Sequence, residues 1–167
     1  MTRYQMLREA VANLAAPAEE QVAYLDRIFV PLTGGGSAAG YGNDELALEL
    51  EDIAPATADM MDFGEITAEE VEAVKAIDLL IAQYQQEHDP VFWRREALFD
   101  DPRWQNVREV AAQALAQLPD EARESDYTRE LAERYAEQPD DRATARPDTR
   151  SFVQRAIAAI RVLFGRR

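Results

Sequence analysis

Apolar side chains along this chain recur at intervals of three and four residues, separated by Glu, Gln and Arg, and β-branched residues are few. That period places the apolar positions on one side of a helix and predicts helices throughout. The clearest case is "AEEVEAVKAIDLLIAQYQQ", where Val71, Val74, Ile77 or Asp78, and Ile81 share a face. Thr67 with Glu70 three positions on forms a capping box in front of it. Thr2 caps a first helix reaching to about Ala16, and Pro17 opens a second over "PAEEQVAYLDRIF". Asn43 serves as N-cap for "DELALELEDI", with Asp44 and Glu45 in its first turn, and Pro55 ends or kinks that element. The alternation of Leu46, Leu48 and Leu50 also admits a strand there.

Asp89-Pro90 and Asp101-Pro102 each pair an N-cap with a first-turn proline. They predict a short aromatic helix and then a longer one ending near Leu118, before Pro119. Residues 139–150 are polar, charged and proline-bearing, which is linker composition. Residues 151–167 are expected to form one amphipathic helix, with Gly165 as its stop. The expected architecture is an all-α, compact bundle of about six to seven helices: an acidic helical domain over 1–138, the linker, and a basic C-terminal helix. At 167 residues a sizeable core is within reach.

Five of the seven glycines lie in "TGGGSAAGYGN", residues 33–43. A dinucleotide fingerprint would need a third glycine where Ala39 stands, and a Walker-type loop would need a lysine where Tyr41 follows Gly40. No Lys or Arg occurs between Arg27 and Lys75, whereas eleven acids occupy those 47 positions. That field repels phosphate. The segment therefore reads as a mobile connection between helices, with no nucleotide and no other cofactor implied.

Charge changes the picture most. The chain carries a formal net charge of −14. From Arg142 to Arg167 there are seven arginines and one acid, Asp148, a net +6, which leaves −20 on residues 1–141. On a helix "DELALELEDI" places Glu45, Glu49 and Asp52 in one stripe, apart from Leu46, Leu50 and Ile53. An acidic stripe without interspersed cations is the candidate contact surface for a basic protein partner, and it disfavours nucleic acid on that face. The alternative anchor is the last helix, whose Phe152, Ile157, Ile160 and Leu163 would lie on an anionic membrane surface or insert into another protein. Packing of that face on the parent domain is the simpler reading.

Other chemistry finds little support. The chain has no cysteine, which removes disulfides and thiolate metal sites and fits a reducing, cytoplasmic setting. His88, the lone histidine, is expected to help end a helix. Neither EF-hand spacing nor the Glu-x-x-His pair of di-iron bundles occurs, so no metal and no catalytic residue is assigned. Phe92, Trp93, Phe99 and Trp104 among Arg94, Arg95 and Arg103 are expected to fill a corner between helices, with arginines over ring faces. The sequence leaves the oligomeric state open.

In "EEQVAYLDRIF", "NDELALELEDI" and "DPRWQNVREVAAQAL" the chain resembles small acidic bacterial proteins of uncharacterised function, some of the immunity-protein type of toxin systems. The resemblance covers residues 18 to 118. It implies a cognate, often basic, toxin domain blocked by an acidic surface. The glycine loop and the arginine-rich last segment depart from that pattern.

Overall fold

The computed structural model describes residues 1–125 and 129. The described residues form a compact all-α bundle of seven helical segments: α1 Arg3–Ala15, α2 Ala18–Leu32, α3 Asp44–Ile53, α4 Ala56–Asp62, α5 Ala68–Gln86, α6 Ala97–Asp100 and α7 Pro102–Gln117. Expectations for the linker at 139–150 and the helix at 151–167 lie outside these residues.

Local chemistry sets most of the boundaries. The Thr2 hydroxyl accepts the Gln5 N–H while the Gln5 side chain accepts the Thr2 N–H, a reciprocal cap that opens α1. Thr67 and Glu70 do the same for α5. Asp101 caps α7 by accepting the Arg103 N–H at 2.9 Å, ahead of Pro102. Pro55 separates α3 from α4, and His88 leaves α5 in the left-handed region with φ 51°. Residues 44–53 are helix, so the strand alternative is set aside.

α7 lies at the centre, with α1 and α5 packed against it and α3 packed on α1. Leu7, Val11 and Leu14 of α1, Val74 and Ile77 of α5, and Trp104 and Val107 of α7 are all buried. The Trp104 ring stacks on Phe92 with centroids 5.0 Å apart, and its indole N–H donates to the Phe92 carbonyl at 2.8 Å, so its one polar atom is satisfied in the core. Arg103 sits over the other side of the corner, 4.9 Å from the Phe92 ring centroid. The expected aromatic corner is therefore present, although Phe99 points outward.

Two sequence expectations change in detail. Asp89-Pro90 opens a series of turns, and helix returns only at α6. The physical reason lies in the carbonyls of residues 92–94. Phe92 O is taken by Trp104 and by Asn43 Nδ2 at 3.1 Å, Arg94 O by Asn43 Nδ2 at 3.0 Å, and Trp93 O by the Asn43 N–H at 3.2 Å. Phe92 O and Trp93 O, committed to tertiary donors, are withdrawn from an α-helical ladder, and Arg94 O keeps only a short-range bond from the Ala97 N–H at 3.0 Å. The same bonds explain why Asn43, though at the N-cap position, gives α3 no side-chain cap.

The glycine loop is anchored at one end. Gly34 and Gly35 have φ of 67° and 89° and are exposed, with nothing near enough for an added Cβ to touch. At the other end Tyr41 stacks on Phe29 with centroids 4.2 Å apart, Arg95 Nε donates to Tyr41 O at 2.9 Å, and Ala38 is buried. Gly42 passes so close to the 89–96 turns that a Cβ would sit 2.6 Å from Trp93 O. The loop is a connection, as expected, but its second half is packed.

Candidate functional site

The acidic stripe is positioned by the way α3 buries Leu46, Leu50 and Ile53. Turning about 100° per residue, the helix then points Leu48 outward, with Asp44 and Glu51 to one side and Asp52 and Glu45 to the other. Asp44, Glu51 and Asp52 are exposed and Glu45 is half-buried. Glu49 falls beside the core stripe, three residues after Leu46 and four before Ile53. Its carboxylate accepts the Tyr24 hydroxyl and, at 3.2 Å, Asn13 Nδ2.

The three predicted contact residues are thus divided by their surroundings. Glu49 holds α3 to α1 and α2, while Glu45 and Asp52 remain open to a partner. Burial, followed by the hydrogen bond to Glu49, pushes the Tyr24 phenol well above its ordinary range. Glu45 is also raised, first by partial burial and then by the charges of Glu49, Asp44 and Asp52. Like charges crowd this helix without relief.

Most cations of the described residues are engaged with other carboxylates or carbonyls. Arg3 forms a two-point pair with Glu65 at 2.6 and 3.0 Å, and Arg123 one with Glu70 at 2.6 and 2.7 Å. Arg103 gathers Asp101, Asp89 and Glu87, Arg108 binds Gln21 Oε1 and Leu98 O, and Lys75 pairs with Glu72. The Arg27 guanidinium lies 4.9 Å from the ring centroid of Tyr24, the residue that bonds Glu49. Among the described residues, Asp44, Glu45, Glu51 and Asp52 form no ion pair.

Two hollows flank α3. One, of about 320 Å³, lies against α1 and α2 and is lined by Met1, Met6, Glu9, Tyr24, Glu49 and Asp52. The other, of about 510 Å³, lies against α5 and includes Leu48, Glu51, Asp78, Ile81 and Trp93. An apolar floor with carboxylates at its rim receives lysine and arginine side chains well, because the aliphatic stem rests on the floor while the cation meets the acids. Sequence patterning alone misses Glu9 and Asp78, which come from α1 and α5 and join the site only through packing. Asp78 carried a faint signal as the alternative to Ile77 in the α5 register.

Among the described residues no three His, Asp or Glu side chains converge as a metal site, and no helix is long and apolar enough to cross a membrane. The alternative anchor residues Phe152, Ile157, Ile160 and Leu163 lie outside the described residues. No known protein family, curated protein or solved structure matches the chain.

Proposed function

We propose that this protein is a non-catalytic acidic helical module that binds a basic protein partner, and that its sharpest form is an immunity or antitoxin protein occupying a basic toxin domain. The supporting observation is that Asp44, Glu45, Glu51 and Asp52 on α3 form no ion pair among the described residues, while Arg3, Arg8, Arg95, Arg103, Arg108 and Arg123 are committed to other carboxylates and carbonyls. A negative face left uncompensated steers a cationic macromolecule and sets its orientation. Glu45 and Asp52, with Glu9 beside Met1 and Met6, form the contact on the α1–α2 side. Cytoplasmic action belongs to the same reading, and the absence of cysteine suits a reducing compartment.

The test begins with a pull-down from the native host and identification of the bound protein by mass spectrometry. The partner is expected to be basic. Glu45→Lys with Asp52→Lys should then weaken its binding at least tenfold by titration calorimetry, while circular dichroism is unchanged and the melting temperature does not fall below the wild-type value. Undiminished binding would reject the surface. Glu49 is left intact in this test because reversing it would break the bonds to Tyr24 and Asn13 and confuse folding with recognition.

A further inference from the structure

The hollow on the α5 side of α3 is a groove with a direction. Ala47 and Leu48 form one wall and Ile81, Ala82 and Trp93 the other. Past Glu51 and Asp78, which line both spaces, it continues into a second hollow of about 270 Å³ bounded by Ala54, Pro55 and Val74. It follows the ten residues of α3, roughly 15 Å or nearly three helical turns at about 1.5 Å per residue. Ala47, Ala54 and Ala82 are small enough for another backbone to approach closely. Leu48 is 43 % exposed at the groove and Leu79 69 % exposed on the neighbouring edge of α5, apolar surface that contact with a partner would remove from water.

The rims carry one sign of charge on both sides, Asp44 and Glu51 on α3 and Asp78 on α5. The cation that lines the groove's far end, Lys75, is paired with Glu72 at 2.8 Å. We infer that this groove receives one amphipathic helix of the partner, with its apolar face inward and lysines or arginines along both flanks. The inference rests on the proposal that the acidic face meets a basic protein, and it adds the shape of what is recognised. An extended segment fits poorly, since the backbone groups of α3 and α5 are satisfied within their own helices and offer no ladder to a strand.

Full-length protein would be titrated by fluorescence polarisation with two synthetic peptides of about 18 residues, five helical turns. One has leucines at i, i+3, i+4 and i+7 with arginines and lysines on both flanks, and the other has the same composition reordered so that its leucines surround the helix. The first is expected to bind at least tenfold more tightly. Leu48→Ser and Ala82→Trp, which respectively strip and fill the groove, should each remove that preference and leave binding of the reordered peptide unchanged. If Ala82→Trp loses helical signal, Leu48→Ser decides, because Leu48 lies outside the core. Equal binding of both peptides, indifferent to either substitution, would overturn the groove while leaving the acidic-face proposal standing. Failure of both peptides to bind at low salt would overturn both.

Discussion

Glu70 and Glu51 are the same side chain put to opposite use. Glu70 is 4 % exposed at the start of α5, where it accepts the Thr67 N–H at 2.7 Å and both terminal nitrogens of Arg123. Next to it Glu65 takes Arg3, and on the same side Tyr4 and Arg8 donate to the Pro119 carbonyl. Carboxylates there join α1, α5 and the chain beyond α7. Glu51 on α3 is exposed and forms no ion pair, the nearby Lys75 being paired with Glu72. Acidic composition alone does not distinguish the two uses. The difference is whether the fold brings an arginine distant in sequence into an ion pair, as it does Arg3 and Arg123 at one corner and none at α3.

The contrast is broken most directly by removing each glutamate. Glu70→Ala strands the Arg123 guanidinium and deletes half of the cap on α5; because Arg123 can rehydrate, the expected cost is about 2 kcal/mol, below that of a fully buried pair. Glu51→Lys, which relieves repulsion on a solvated face, should change stability by less than about 0.5 kcal/mol. Urea unfolding of the two variants measures both, and equal costs would erase the distinction.

A smaller effect follows from protonation, with opposite signs at the two sites. Arg123 chiefly, helped by Thr67, holds the Glu70 carboxyl below its usual range against the effect of burial. Its stabilisation is therefore present above the unfolded-state value, about 4.3 for glutamate, and is lost as pH falls through the lower folded value. Glu45 is raised by burial and by its acidic neighbours, so its penalty is full above the raised folded value and disappears as pH falls past the unfolded one. Glu70→Gln should flatten the acid limb of a stability–pH curve. Glu45→Gln should be slightly more stable than wild type at pH 7 and converge with it by about pH 4.

The smallest effect is that of salt. Raising ionic strength from about 0.01 to 0.15 M shortens the screening length from about 30 to 8 Å. That should raise the melting temperature of the wild type by relieving α3, and the increment should shrink in Glu45→Gln with Glu51→Gln. An undiminished increment would place the repulsion elsewhere.

Much of the bundle was legible because its signals are local. Thr67 and Glu70, Asp101 before Pro102, and the spacing of Val71, Val74, Ile77 and Ile81 act within one or two turns, and the fold retains each of them. What was not legible depends on residues far apart in sequence. Asn43 has the composition of an N-cap, but its amide goes to carbonyls 49 and 51 residues away. Glu70 reads as a capping glutamate, and nothing nearby announces Arg123. Glu49 is an intermediate case: a helical projection sets it beside Leu46 and Ile53, and that proximity to the core was the sign that it would be occupied within the fold. The stripe that joins it to Glu45 and Asp52 comes from the same projection, but its Glu49 edge is the one that borders the core.

The unequal ends of the glycine loop have a practical consequence for engineering. A tag or a new pair of termini spliced after Gly35 would enter open solvent and leave α3 in register. The same splice at Gly42 would force the backbone off Trp93 and pull Asn43 from the carbonyls it bridges. Seven positions apart, one site is a splice point and the other a keystone.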